Sequence, residues 1–131
     1  MHWAAKYIGV PYKVGGDALS GADCWGLVRL VLRAERGIEM PELSIGQAGN
    51  DAALRRCFIG WSAADLRRLC EFDIITMRNA FGHHVGIVAM ADDFGAVVLH
   101  CDEPASHVMR FSTMPSFGYR DFRAWRYNAN S

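Results

Sequence analysis

The sequence predicts an α+β domain in which helices pack on one side of an antiparallel sheet. Apolar side chains recur about every 3.6 residues in the first part of the chain, which is typical of amphipathic helices. β-branched runs separated by turn residues follow, and helices that precede such strands indicate layered α+β packing. The 131 residues, 51% of them hydrophobic, suit a single domain over 1–131 with a buried core.

The clearest helix is predicted over residues 24–36. Its apolar side chains share one face with Cys24. Asp23 is a suitable N-cap, and Gly37 is a suitable stop after arginines that complement the helix dipole. The glycine-rich loop before Asp23 therefore leads directly into a helix that begins with a cysteine.

Shorter elements follow along the chain. Ser62 and Asp65 have the spacing of a capping-box variant, which predicts the start of a helix. Short helices are predicted over 50–57 and 62–70. Strands are predicted over 72–77, 84–90, 96–101, 107–112 and 119–127, with hairpin turns at 78–82 and 91–95. Strands joined by such turns indicate a meander.

The charge balance excludes several classes of protein. Fourteen basic and 14 acidic residues give a formal net charge of +0, whereas a nucleic-acid binder needs a basic excess. No apolar run approaches the roughly 20 residues that span a bilayer. The first residues lack the pattern of a secretory signal. We therefore expect cytoplasmic synthesis, no membrane insertion, and delivery by another component for any work outside the cell.

The cysteines do not form a recognisable framework. They are widely spaced, at Cys24, Cys57, Cys70 and Cys101. Without a CxxC pair, neither a thiolate zinc site nor a disulfide scaffold is indicated. Cys57 and Cys70 lie in helix-like apolar stretches and are predicted to be inert core residues.

Cys24 has a position suited to chemistry. Unpaired N–H groups and the positive end of the dipole favour a thiolate at a helix start, and the same N–H groups can donate to an oxyanion. The alternative is a cysteine that only packs inward. The Asp23 carboxylate opposes activation, because a nearby negative charge raises the pKa of a thiol unless the side chain turns away.

A histidine on a predicted strand is the second candidate. Adjacent strand residues face opposite sides, so His83 and His84 point apart. Gly86 shares the face of His84 and leaves space there for a helix or a substrate. A third polar group must fix the tautomer of a catalytic imidazole. His100 is the leading candidate, with Asp102 behind it.

Together these motifs resemble the NlpC-type family of papain-like cell-wall cysteine peptidases. The matching stretches are IGVPY at 8–12, GG at 15–16, GADCWGLV at 21–28, GI at 37–38 followed by Pro41, DII at 73–75 and HVGIV at 84–88. Their order and spacing cover most of the chain. The resemblance implies a papain-like α+β domain and hydrolysis of peptide bonds in peptidoglycan stem peptides, usually between D-glutamate and a diamino acid.

The resemblance also implies roles for individual residues. Cys24 would be the nucleophile, His84 the general base and His100 the orienting third member. Tyr12 would face the reacting carbonyl, and Asp23 would hold the free amine of the stem peptide.

The sequence departs from the family at three points. Trp25 stands where the family commonly has a small serine, and we predict that Trp25 and His83 contact substrate in this chain. The stretch after Val88 is longer, which leaves Asp102 and Glu103 as alternatives to His100. Anchoring repeats are absent, and the DCWGLV form resembles the branch encoded in phage and prophage tails, which implies delivery to the cell wall by the virion and contact with phage tail proteins.

Two other functions compete with hydrolysis. A tail-assembly protein with a vestigial site would use exposed tryptophans for docking, the candidates being Trp3, Trp25, Trp61 and Trp125. A metal site would use His83, His84, His100 and His107, but two histidines that point apart do not share an ion, and no HExxH motif is present. We therefore predict neither a metal nor another cofactor.

Overall fold

A six-stranded antiparallel sheet forms the centre of the molecule in a computed structural model that describes residues 2–43 and 51–128. The strands are β1 (Asp17–Ala18), β2 (Gly21–Ala22), β3 (Trp61–Ala64), β4 (Ile74–Asn79), β5 (Gly82–Asp92), β6 (Gly95–Cys101), β7 (Ser106–Arg110) and β8 (Arg120–Tyr127). β1 and β2 form a separate hairpin, and the other six lie in the order β3-β8-β4-β5-β6-β7.

The helices are few and short. Helix α1 spans Cys24–Val31 and continues through a wider π-helical turn, Leu32–Arg36, while α2 spans Asp51–Arg56. Two 3-10 segments cover Trp3–Tyr7 and Phe111–Phe117. Within the described ranges, no helix has the length and apolar character needed to cross a membrane.

The two ends of α1 and its π-helical continuation are set by the two residues that the sequence indicated. The Asp23 side chain accepts a hydrogen bond from the Gly26 N–H at 2.7 Å, which satisfies a donor that the helix leaves unpaired. At the other end Gly37 adopts a left-handed conformation with φ 64°, which glycine reaches without strain. The predicted helix over 24–36 is confirmed.

Four consecutive strands, β4 to β7, form the predicted meander. At the first hairpin the Asn79 side chain accepts from the Phe81 N–H, and at the second Asp92 accepts from the Phe94 N–H, each at 2.8 Å. Such side-chain turns are typical of Asn and Asp. The last strand departs from the meander, because β8 returns to pair with β4 and carries β3 on its outer edge.

The two faces of the sheet bury separate apolar clusters. Helix α1 covers one face, whose buried residues include Ile74, Val85, Ile87 and Leu99. The other face packs beneath the 3-10 segment Phe111–Phe117, and its buried residues include Ile75, Met77, Val88, Val98 and Met114. Alternation along β5 places His83 with the first set and His84 with the second.

The helix predicted over 62–70 is wrong. Trp61 to Ala64 instead pair with β8, with Trp61 opposite Tyr127 and Ala64 opposite Ala124. The Asp65 carboxylate accepts from the Arg67 N–H at 2.9 Å and so closes a turn rather than capping a helix.

Smaller corrections concern one strand end and one cysteine. The strand predicted to reach residue 112 ends at Arg110, where the Phe111–Phe117 segment begins. Cys57 is buried, as predicted, but Cys70 is exposed because the helix expected to bury it does not form. Residue 50, the predicted first residue of the helix over 50–57, lies outside the described residues, and α2 covers Asp51–Arg56.

Candidate active site

The start of α1 and the glycine-rich loop are joined by close main-chain packing. A β-carbon at Gly26 would collide with the carbonyl oxygen of Gly16, so only glycine fits there. The same oxygen accepts from the Asp23 N–H at 3.2 Å, and the Asp23 carboxylate accepts from the Gly15 N–H at 2.8 Å. These contacts fix the position of Cys24, the first residue of the helix.

The Cys24 thiol lies against main-chain donors and is half-buried. The backbone N–H groups of Val85 and Trp25 interact with the sulfur and lower its pKa. Burial outweighs them and, together with the Asp23 carboxylate, raises the pKa of Cys24 to about 12. The thiol is therefore protonated at neutral pH, and the helix start alone does not produce the thiolate that we expected from the sequence.

His84 and His100 form a direct hydrogen bond. The Nε2 atom of His84 lies 2.8 Å from Nδ1 of His100, and both side chains are buried. Gly86, opposite His100 in the ladder, makes this approach possible, because a β-carbon there would lie 3.3 Å from that of His100 and 2.6 Å from Cγ1 of Val98. The space predicted beside His84 is thus filled by His100 and Val98.

Both imidazoles are neutral at physiological pH. Burial lowers the pKa of His84 to about 4, and burial with the charge of His84 lowers the pKa of His100 to about 3. Since Nε2 of His84 is occupied by His100, Nδ1 is the nitrogen left to act as a base. The thiol of Cys24 meets the strand at Val85, the next residue after His84.

Two further residues complete the polar cluster. The Tyr119 hydroxyl donates to Oδ2 of Asp102 at 2.6 Å, and the Tyr119 ring lies 5.2 Å from that of His84, centroid to centroid. Asp102 raises the pKa of His84 and so opposes the effect of burial. Tyr119 was missed in the sequence, because no motif marks it and only the fold brings it beside the histidines.

The same cluster contains donors that can hold a metal ion. One atom each from His84, His100 and Asp102 lie within 4.8 Å of one another, and two imidazoles with a carboxylate are a donor set that Zn²⁺ accepts. His83 lies on the other face of the strand, as predicted. His107 packs its ring 4.3 Å from that of His100. Nε2 of His100 is buried with no hydrogen-bond partner in the described part of the chain.

Tyr12 lies near the thiol. Its main-chain N–H donates to the Pro104 carbonyl at 3.0 Å, and it bridges to Ala22 beside the helix start. Burial and the nearby Cys24 and Asp23 raise the pKa of its hydroxyl, which therefore stays protonated as a hydrogen-bond donor.

The three residues predicted to contact substrate occupy different environments. Asp23 uses both carboxylate oxygens on main-chain N–H groups at the helix start. Trp25 is only 4% exposed and donates its indole N–H to the Pro41 carbonyl, so its side chain is part of the core. His83 lines a cavity on the opposite side of β5 from His84. The structure does not bring these three side chains together.

A comparison with models of known protein families shows the family to which the chain belongs. Residues 9–111 match the model of the NlpC/P60 family, which is more than half of the chain and includes Cys24, His84 and His100. The chain belongs to the NlpC/P60 family. The family that the motifs resembled is thereby confirmed, whereas the phage-tail branch stays a prediction.

This NlpC/P60 chain is similar to enzymes of the cell wall. It is 28% identical over 112 residues to proteins named "Murein DD-endopeptidase MepS/Murein LD-carboxypeptidase" from Escherichia coli strains K12 and O157:H7. The alignment covers 79% of this chain and 54% of those proteins, so the chain spans about half the length of the curated relatives it matches.

A solved structure supports the architecture. The crystal structure of the NlpC/p60 domain of peptidoglycan hydrolase SagA superposes with a TM-score of 0.61 at 23% sequence identity. The match covers 92% of this chain and 90% of that one. The predicted α+β, papain-like NlpC-type fold is confirmed.

Proposed function

We propose that this chain is a cysteine peptidase that hydrolyses peptide bonds in peptidoglycan stem peptides, between D-glutamate and a diamino acid. The proposal rests on the position of the Cys24 thiol, which contacts the backbone N–H of Val85, the residue next to His84. The Nε2 atom of His84 is hydrogen-bonded to His100, which leaves its Nδ1 atom for the thiol. Family membership and the murein endopeptidase names of its relatives support the substrate class.

The reaction begins with a proton transfer, because thiol and imidazole are both neutral at rest. Nδ1 of His84 takes the proton of Cys24 as the sulfur attacks the carbonyl carbon, and the carbonyl oxygen becomes an oxyanion. The main-chain N–H of Cys24 and the hydroxyl of Tyr12 are the proposed donors to that oxyanion. Substrate binding favours this step because it places the carbonyl oxygen next to those two donors.

Two bond changes complete the cycle. The protonated His84 gives its proton to the leaving amine as the C–N bond breaks, which leaves a thioester on Cys24. His84 then takes a proton from water, the hydroxide attacks the thioester, and the acid product departs as the thiol is restored. Through its Nδ1, His100 holds the ring of His84 in one orientation during both steps.

Asp23 stays the proposed contact for the free amine of the stem peptide. A carboxylate offers about four lone-pair sites, and the bonds to Gly26 and Gly15 use two of them. The remaining sites can accept from an ammonium group that sits above the helix start.

Replacement of the nucleophile tests the proposal directly. Cys24→Ala should lower the rate of stem-peptide release from purified peptidoglycan by about 10⁴-fold or more, since the attacking atom is gone. Cys70→Ala is the matched control, because that cysteine is exposed and outside the site. Products are measured by chromatography and mass spectrometry. Equal rates for Cys24→Ala and the parent would refute the proposal.

Delivery by a phage tail stays a prediction from the DCWGLV motif. A tail-assembly protein with a vestigial site is distinguished from an enzyme by labelling with iodoacetamide. In an active peptidase, His84→Gln should slow the labelling of Cys24 and leave that of Cys70 unchanged. Labelling of Cys24 that is independent of His84 would favour the assembly role.

A further inference from the structure

A cavity of about 310 Å³ lies on the side of β5 opposite His84. Four of the elements that line it contribute one basic side chain each. These are Arg55 from α2, Arg78 from β4, His83 from β5 and Arg123 from β8. The volume is at the lower end of the roughly 300–1,000 Å³ found for small-molecule sites.

The arginines of this cavity lack internal partners. Among the described residues, the side chains of Arg55, Arg78 and Arg123 form no ion pair or hydrogen bond. Other arginines in the same part of the chain pair with carboxylates, namely Arg29, Arg33, Arg67, Arg110, Arg120 and Arg126. The one acid that lines the cavity, Asp121, lies 4.0 Å from Arg120. The cavity therefore has a surplus of positive charge.

The rest of the wall is aromatic. Phe58 and Trp125 stack with ring centroids 5.0 Å apart and planes 6° apart, and both line the cavity. Guanidinium groups bind carboxylates through two parallel hydrogen bonds, and an apolar wall accommodates the carbon chain that carries the carboxylate. This chemistry suits an organic acid of the size of one or two amino acids.

The cavity and the catalytic histidine lie at the same end of the β4–β5 hairpin. Arg78 is paired with His83 in the ladder, and Met77 is paired with His84. A strand advances about 3.3 Å per residue, so His83 and His84 are that far apart along β5, while their side chains face opposite sides of the sheet. An extended peptide that passes over the hairpin end can occupy both places.

We propose that this cavity, here termed the arginine pocket (Arg55, Arg78, His83 and Arg123), binds a free carboxylate of the stem peptide and sets a preference for acidic over amidated stems. The inference rests on the proposed function for the identity of the ligand. Carboxylate binding by the pocket can be tested independently of hydrolysis, since binding does not require turnover.

Binding to a protein that cannot turn over tests the pocket. The Cys24→Ala protein is titrated calorimetrically with two synthetic stem peptides that differ only in a free carboxylate or its carboxamide. Charge-assisted hydrogen bonds are stronger than neutral ones, so the acid should bind at least about tenfold more tightly, which is about 1.4 kcal/mol. Adding Arg78→Gln and Arg123→Gln should reduce that preference to less than about threefold.

Matched variants separate the pocket from general charge. Arg36→Gln with Arg68→Gln removes the same charge at two exposed residues outside the cavity and should leave the preference for the acid intact. Arg78→Lys with Arg123→Lys keeps the charge but loses the forked geometry, and should retain part of the preference. A preference that falls equally in the control pair would overturn the proposal, as would equal affinity for acid and amide in the Cys24→Ala protein.

Binding and cleavage measured together distinguish a failure of the arginine pocket from a failure of the proposed hydrolase activity. Arginine-dependent binding of the acid, combined with no cleavage by the parent protein, would keep the pocket and refute the hydrolase. Cleavage of acid and amide at equal kcat/KM, unchanged by the glutamine pair, would keep the hydrolase and refute the pocket.

Discussion

The two sides of β5 differ sharply at neighbouring residues. His84 is buried, hydrogen-bonded to His100, and uncharged at neutral pH. One residue earlier, His83 lines a cavity with three arginines. Strand alternation places the two side chains in different environments, one buried, where a neutral base is stable, and one with a surplus of positive charge. In the proposed enzyme His84 would transfer the proton of Cys24, and the side that His83 faces would recognise the substrate.

Mutation of His84 should remove catalysis, whereas mutation of His83 should not. His84→Gln should lower kcat for stem-peptide cleavage by about 10⁴-fold, because the group that accepts the thiol proton is removed. Steady-state kinetics on a synthetic peptide measure it.

His83→Gln is the matched variant for that measurement. It makes the same change one residue away and should raise KM for an acidic substrate while kcat is kept, since its side chain faces the arginine pocket. Similar losses of kcat in both variants would show that catalysis and substrate recognition are not separated between His84 and His83.

A smaller effect is expected at the residue that holds His84. His100→Ala should lower kcat by about 10²–10³-fold with little change in KM, because the imidazole loses its oriented partner. His100→Asn keeps an acceptor oxygen and should recover part of that loss. Equal activities of the two variants, with both proteins folded by circular dichroism, would contradict a positioning role.

The lowered pKa values of the two buried histidines make the stability of the fold depend on pH. His84 and His100 have folded-state pKa values of about 4 and about 3, below the value of about 6.5 in the unfolded chain. The unfolded state therefore binds more protons as the pH falls. The stability contributed by the neutral pair is complete above about pH 6.5 and is lost towards pH 4, by at most about 1.4 kcal/mol per pH unit for each histidine.

Denaturant unfolding between pH 7.5 and 4.5 measures this decline. His100→Asn should show a shallower slope, because one buried titrating group is gone. The range stays above the region where carboxylates with lowered pKa values, such as Asp65 and Asp92, titrate. An identical slope in the variant would show that His100 does not titrate with folding.

Local signals explain what the sequence predicted well. Asp23 and Gly37 mark the ends of α1 because a cap and a left-handed glycine act within one turn of the helix. The hairpins at Asn79 and Asp92 follow from short-range turn chemistry in the same way. The contact of His84 with His100 was expected from the family resemblance, with Asp102 and Glu103 left open as alternatives.

Long-range pairing explains what the sequence missed. Trp61 to Ala64 form a strand only because β8, about half the chain away, offers an edge to pair with. The contact of Tyr119 with Asp102 and the meeting of Arg55, Arg78 and Arg123 around one cavity likewise depend on the path of β8. The pKa of Cys24 also differed from expectation, because its burial is a property of the packed molecule.

The packing of Gly26 against Gly16 has a consequence for how the chain tolerates change. A methyl group at position 26 would push the preceding loop outward, and that loop is tied to Asp23 and so to the sulfur that follows it. An alanine at that position would thus impair an enzyme without altering any atom that reacts. The position of the nucleophile thus depends on the carboxylate of Asp23 and on the absence of a side chain at Gly26.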